Sequence, residues 1–196
     1  MPRRGNSEGD CQMSGWKFPQ CATMTFTAML LLAGCVTQHK YDALETRYQE
    51  LNRTMSAEIA ADQAHITRLQ NAIKVTVNNE LLFPSGDWDM PIQAQQTIGK
   101  IAPILAPMQQ TKILVNGYTD NVPIGPGLVR QGITSNLELS QKRADTVMQF
   151  LISQGVKPSL LSAKGFGEGD PVASNNTPAG QAQNRRVELT LAGSGQ

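Results

Sequence analysis

Apolar residues in the first part of the chain follow two patterns. Residues 24–34, MTFTAMLLLAG, form a mostly apolar run. Residues 38–75 are polar, with a thin apolar stripe. Tyr41, Leu44, Tyr48, Leu51 and Met55 are spaced by alternating threes and fours, and Ile59, Ile66, Leu69 and Ile73 resume the stripe after a four-residue shift. This is heptad spacing with one stutter, and no Pro or Gly interrupts it. The spacing predicts a long helix over 38–75, roughly 55 Å at 1.5 Å per residue. Two readings fit it. One is a coiled-coil spacer that holds a distal domain away and joins copies into a homo-oligomer. The other is a single amphipathic helix lying on its own domain, and Asp62 at a d-type position counts against the first.

From residue 76 the pattern changes to short strands and helices. Val75–Phe83 reads as a strand, ended by the turn Pro84-Ser85-Gly86-Asp87. Ile92, Ile98, Ile101, Ile104 and Leu105 suit a helix over 91–107, with Pro91 at its start and a break or end near Pro103 and Pro107. Lys112–Tyr118 is a second strand, followed by a Gly- and Pro-rich loop over 119–134. Ser135-Asn136-Leu137-Glu138 is a capping box. It opens a helix whose core face is Leu137, Ala144, Met148, Leu151 and Ile152, and Gly155 stops it. A third strand over Leu160–Phe166, a loop over 167–180, a helical turn over Ala179–Asn184 and a final strand over Arg186–Ala192 complete the series. The order β-α-β-α-β, loop, β predicts an α+β domain over 76–192, with helices on one face of a mixed sheet. Residues 193–196 read as a flexible tail.

Composition then removes several functions. Basic and acidic residues nearly balance, 17 against 16, so no electrostatic footprint for nucleic acid exists. Cys11, Cys21 and Cys35 all precede the folded part, which excludes a disulfide framework or Cys nucleophile in the domain. His39 and His65 also lie outside 76–192, so the domain lacks the usual neutral-pH base and the commonest metal ligand. No cofactor and no metal are expected.

The apolar run at 24–34 is too short to span a bilayer, which needs about 20 apolar residues. With Arg3, Arg4 and Lys17 before it and small residues at its end, it reads as a secretory signal over 1–34. Met1–Gln12 is unusual for such a signal, and Met13 or Met24 is an alternative start. LLAGC, 31–35, resembles the lipobox of bacterial lipoproteins. That resemblance implies cleavage before Cys35, lipidation of its thiol and amine, and an anchor at 35–37; two or more acyl chains hold a protein stably on a bilayer. Val36 follows in place of the Asp that signals inner-membrane retention. The resemblance therefore implies the outer membrane, facing the periplasm.

Candidate chemistry sits at the start of the capped helix. Asn136, Ser140 and Arg143 share one helix face beside the core stripe. Thr119-Asp120 ends the preceding strand at the mouth of the loop that leads to the same helix. Asp120 suits an ammonium and Arg143 a carboxylate, so a ligand bearing both charges, such as an amino acid, fits. Read from spacing alone, Asp120 and Arg143 more simply pair with each other or face solvent than grip a ligand.

The runs GYTDNVPI (117–124), SNLELSQKRA (135–144), GFGEGDP (165–171), NNTPAG (175–180) and NRRVEL (184–189) resemble, in order, the motifs of the OmpA-like domain. This is the peptidoglycan-binding module shared by OmpA, the peptidoglycan-associated lipoprotein and MotB. The resemblance covers roughly 77–191. It implies a βαβαβ two-layer sandwich and non-covalent binding of the diaminopimelate in the wall's stem peptide. It assigns the ligand grip to Asp120 and Arg143, lines the pocket with Asn136, Leu139 and Thr119, and places Arg185 nearby. Three departures stand out: Tyr118 replaces the usual His, Gln181 replaces a frequent Arg, and the loop 122–134 is longer, as in the MotB branch.

Together these readings predict a lipoprotein that ties the outer membrane to the cell wall. The alternative role is a wall-anchoring subunit of a motor, secretion or efflux complex. A peptidoglycan-cleaving enzyme would need two carboxyls on opposite sides of the bond. The pairs Asp87/Asp89 and Glu168/Asp170 stand two residues apart in turn-like sequence and read as turn formers.

Overall fold

Buried and open residues alternate along the strands Ala64–Arg68, Ala72–Asn78 and Lys112–Gly117, which are covered on one face, whereas the first four residues of the last strand, Arg186 to Leu189, are all buried. The structure, a computed structural model, describes residues 42–192. The expected signal, the Cys35 anchor, residues 38–41 of the spacer and the tail lie outside the described residues. The chain runs through α1 (42–54), α2 (Ser56–Ala60), β1 (Ala64–Arg68), β2 (Ala72–Asn78), α3 (Asn79–Leu82), α4 (Ile92–Gly99), α5 (Ala102–Leu105) and β3 (Lys112–Gly117). It continues through α6 (Pro126–Arg130), α7 (Asn136–Ser153), a 3-10 turn (Pro158–Leu160), β4 (Leu161–Gly165), α8 (Pro178–Asn184) and β5 (Arg186–Ala192).

The five strands form one sheet in the order β1-β2-β5-β3-β4. β3 and β4 are parallel and joined through α7, and every other neighbouring pair is antiparallel. Ile73, Val75, Val77, Ile113, Val115, Val187, Leu189 and Leu191 are buried and share one cluster with Ile98, Leu105, Val147 and Leu151 of the helices. Each such aliphatic side chain contributes about 1.5–3 kcal/mol by burial. Lys74, Thr76, Asn116 and Thr190, on the other face, are only half-buried. The α+β sandwich with helices on one face of a mixed sheet is therefore present, with one more strand than expected.

The continuous helix expected over 38–75 is corrected. Helix ends at residue 60, and 64–78 form an antiparallel hairpin through the two-residue link Gln70-Asn71, where the Leu69 N–H donates to the Ala72 carbonyl at 2.8 Å. Asp62 stands at φ +56°, a left-handed conformation that no helix interior accepts. The stripe in α1 also does not await a second helix. Leu51 and Met55 are fully buried in the domain's own core, with Leu44 and Tyr48 packed beside them. A coiled coil or homo-oligomer through this stripe would have to remove it from that core.

Smaller corrections have local causes. The strand expected over 75–83 stops at Asn78, and Asn79–Leu82 turns once as a helix that buries Leu82. The helix over 91–107 breaks between α4 and α5. Pro103, lacking an N–H and clashing with a preceding carbonyl, sits in the first turn of α5, where it is tolerated. The loop 119–134 contains α6.

α7 has the start and stop that its sequence predicts. The Ser135 hydroxyl accepts from the Glu138 N–H at 3.2 Å, and the Glu138 carboxylate accepts from the Thr134 N–H at 2.7 Å. At the other end Gly155 has φ +92°. There the N–H groups of Gly155 and Val156 donate to the carbonyls of Ile152 and Leu151 at 3.0 and 3.1 Å, a Schellman closure. Leu137, expected on the core face, is 57% exposed, because the buried face runs through Ala144, Val147 and Leu151.

Two glycines let α7 lie directly on the sheet. A Cβ at Gly117 would stand 2.3 Å from the Ser140 carbonyl oxygen, and one at Gly165 2.4 Å from the Gln141 nitrogen.

Candidate functional site

Backbone bonds fix the end of β3. The N–H groups of Tyr118 and Thr119 donate to the carbonyls of Arg186 and Gly167 at 2.9 and 2.7 Å, and the Phe166 N–H donates to the Gly117 carbonyl at 2.9 Å. Ser140 joins α7 to this corner: its hydroxyl accepts from the Gly167 N–H at 2.8 Å and donates to the Leu137 carbonyl at 2.9 Å. Asp120, just beyond β3, and Arg143, one turn beyond Ser140 on α7, are held on one side of this joint.

Asp120 is 7% exposed. One carboxylate oxygen, Oδ2, accepts from Arg185 Nη1 at 2.7 Å, and the other accepts from the Val122 N–H at 3.2 Å. Arg185 extends its second terminal nitrogen, Nη2, to Glu80. Burial pushes the Arg185 pKa down, but the hydrogen bonds to Asp120 and Glu80 outweigh it and the net direction is up.

Arg143 is 5% exposed and pairs with no carboxylate within the described residues. Its Nε donates to the backbone carbonyl of Asp87 at 2.8 Å, and its guanidinium carbon lies 5.3 Å from the centre of the Phe83 ring. Burial lowers its pKa to about 10, opposed by the charges of Asp120 and Asp87. It is charged at neutral pH. Among the described residues, the buried side-chain atoms without any partner are Glu58 Oε2, Asn79 Oδ1 and Thr119 Oγ1. The terminal nitrogens of Arg143 have no partner among the described residues and are not among those sealed atoms. Their donors are unused among the described residues, near the charge of Asp120.

The other sequence-predicted residues surround this pair differently. The side-chain amide of Asn136 donates to the Val122 carbonyl at 3.0 Å and, at 3.4 Å, to that of Asp120. It thus fixes the loop that carries Asp120. Leu139 is buried with Leu128 and Ile133, packed by Trp88 and Ile124, and holds the long loop to α7. The Thr119 hydroxyl is sealed from solvent, so Thr119 shapes the site through its backbone.

Sequence reasoning missed Glu80, Phe83 and the carbonyl of Asp87. Phe83 and Asp87 belong to a segment read only as a strand end and a turn. Glu80 carries no signal of its own, since its role depends on a backbone bond from the Asn79 N–H to the Arg185 carbonyl at 2.9 Å.

The departures also find their places. Tyr118 lies between the Arg186 guanidinium, 3.7 Å from its ring centre, and the Phe166 ring at 5.0 Å and 15°. Burial, then Glu188, raises its pKa. It packs strand ends together. Gln181 donates to the Asn175 carbonyl at 3.0 Å, bracing the loop before α8. Asp87 Oδ1 accepts from the N–H groups of Trp88 and Asp89 at 2.7 and 3.1 Å, and Asp170 has φ +52°, as turn formers do. Among the described residues no cluster of three His, Cys, Asp or Glu is placed to hold a metal ion.

A two-layer sandwich with a buried acid and a half-used guanidinium between a strand end and a helix face defines the class of this domain. The profile of the OmpA family matches residues 82–185, more than half of the chain, and the chain belongs to that family. It is 37% identical over 127 residues to the probable lipoprotein YiaD of Escherichia coli (strain K12), covering 65% of this chain and 54% of that protein. It is 32% identical over 123 residues to the peptidoglycan-binding protein ArfA of Mycobacterium tuberculosis (strain ATCC 25618 / H37Rv), covering 63% of this chain and 35% of that one. The chain thus spans about half or less of these curated relatives. Among solved structures, the cell wall anchor of the T6SS from Pseudomonas aeruginosa superposes with a TM-score of 0.66 at 30% identity, over 73% of this chain and 96% of that one.

Proposed function

We propose that this domain binds peptidoglycan without covalent chemistry, gripping the zwitterionic end of diaminopimelate in the stem peptide. Asp120 takes the ammonium and Arg143 the carboxylate. The observation that carries this reading is the pair of terminal nitrogens on the buried Arg143 side chain, which have no hydrogen-bond partner among the described residues. A guanidinium held so needs an anion, and its planar fork matches a carboxylate. The name of the relative ArfA supports the wall as the source of that ligand. Residues 76–192 contain neither His nor Cys, so the usual neutral-pH base and a thiol nucleophile are both missing there, which supports a binding role.

The anchor completes the reading. Lipidation of Cys35 holds the domain on the outer membrane, facing the periplasm, and YiaD is named a probable lipoprotein. α1 packs into the domain's own core, so it belongs to the domain and the anchor is joined to the chain before it. The long spacer is not needed. A role as the wall-anchoring part of a larger envelope complex is favoured by the likeness to the secretion-system wall anchor; crosslinking and co-purification from membranes separate a lone tether from a subunit.

The test is sedimentation of residues 36–196 with isolated cell-wall sacculi. The wild type co-sediments, and free diaminopimelate releases it. Asp120→Ala or Arg143→Ala each removes a charged hydrogen bond, a loss of about 1.5–3 kcal/mol. Wild-type binding by both variants refutes the assigned pocket, and release of soluble muropeptides refutes the binding-only role.

A further inference from the structure

Asp120 is already occupied. Its Oδ2 holds Arg185 Nη1 at 2.7 Å, where the proposed ligand's ammonium has to go. Arg185 is at the same time held by a second carboxylate, Glu80, through Nη2. The two carboxylates differ in setting: the side chain of Asp120 is 9% exposed and that of Glu80 is 69% exposed. The pairing with Glu80 is built in, because the Asn79 N–H donates to the Arg185 carbonyl and so sets α3 beside Arg185. Glu80, Asp87 and Asp120 against Arg143 and Arg185 leave the site with one excess negative charge, and Glu80 supplies it.

The geometry points to Arg185 as a displaceable occupant of Asp120, with Glu80 as the carboxylate that receives it when an ammonium-bearing ligand binds. This rests on the binding reading above. The guanidinium stands in for the ligand's ammonium in the free protein and keeps the buried carboxylate paired. On binding, the ammonium takes the Asp120 oxygen and Arg185 turns fully to Glu80, so no buried charge is left alone at any point. Without Glu80, Arg185 has no second partner and competes with the ligand at full strength. Glu80 is therefore a specificity residue for the cationic group and has no part in recognising the carboxylate.

Two small probes separate these roles: meso-diaminopimelate, and pimelate, which has the same chain and carboxylates but no ammonium. Each is titrated by NMR into wild type, Glu80→Gln, Arg185→Gln and the double variant. Glu80→Gln changes an exposed side chain, and an unchanged melting temperature verifies its fold. It weakens diaminopimelate binding about two- to fivefold, the range of an exposed ion pair, and leaves pimelate binding unchanged. In the Arg185→Gln background the same substitution has no effect. Equal weakening of both probes, or an undiminished effect without Arg185, overturns the proposal while the pocket stands. If wild type binds neither probe, the zwitterion reading of the pocket falls, and this proposal with it.

Discussion

Gly117→Ala tests whether the contact between α7 and the sheet sets the site. The added methyl stands 2.3 Å from the Ser140 carbonyl oxygen, where ordinary contact begins at 3.4 Å. The obstacle is helix backbone, which has no rotamer to change, so α7 has to retreat by about 1 Å from β3. Overpacking of this kind costs about 1–3 kcal/mol. The gap it opens among Val115, Ala144 and Val147 forfeits a further part of their dispersion contacts. The same shift moves Arg143 on α7 away from Asp120 at the end of β3, although neither residue is altered. Urea denaturation therefore reads a loss of about 1–3 kcal/mol, and sedimentation with sacculi reads weaker binding under conditions where the variant is fully folded. Gly99→Ala is the control: its methyl meets Phe150 at an ordinary 3.9 Å at the end of a helix, and it is neutral or stabilising by up to about 1 kcal/mol. If Gly117→Ala matches wild type in both stability and binding, the close approach does not set the site and the reasoning fails.

Leu51→Ala separates a docked helix from a free arm. Leu51 is fully buried in the core, so the domain loses about 2–5 kcal/mol in urea denaturation, whereas a free coiled-coil arm would leave the domain's stability unchanged. Binding of pimelate, which has no titrating amine, is constant from pH 6 to 9 and weakens as pH rises through about 10, where Arg143 loses its proton. A bound carboxylate favours the charged form and shifts this loss upward, and NMR titration at stepped pH detects it. Arg143→Lys tests the fork: a single ammonium cannot replace a bidentate grip, so binding falls although the charge is kept.

Elements with a single period and clear ends were legible in the sequence. β5 alternates apolar and polar residues through Val187–Leu191, with Val187, Leu189 and Leu191 in the core, and α7 begins with a Ser–Glu cap and ends at a glycine with positive φ. The segment 56–75 was not legible, because Ile59, Ile66 and Ile73 stand seven apart as in a heptad, while it is the reversal between Ile66 and Ile73 that brings both into the core. Ile66 and Ile73 are inward residues of β1 and β2, and Ile59 packs from α2. The misfit at Asp62 was the visible clue, since its φ of +56° is the turn into the hairpin. The link Gln70-Asn71 carries no glycine to announce a reversal. In the site, Asp120 and Arg143 could be placed near each other by helix spacing and motif. Their actual partners, Arg185 and the Asp87 carbonyl, come from segments 65 and 56 residues away, which no local pattern encodes.

The position of β5 governs when this protein can become itself. The strand that comes last in chain order lies in the middle of the sheet, between β2 and β3. A chain made or threaded through a membrane from its N-terminus has every other strand available first, yet only the hairpin β1-β2 and the parallel pair β3-β4 can form. The two halves have no common neighbour until Arg186–Ala192 emerges, and Arg185 reaches Asp120 only then. Such non-local closure is slow, since the entropy of the intervening loop is lost before the contacts form. The sheet and the pairing of Asp120 are therefore completed together, by the final strand, and before it only two separate strand pairs can form.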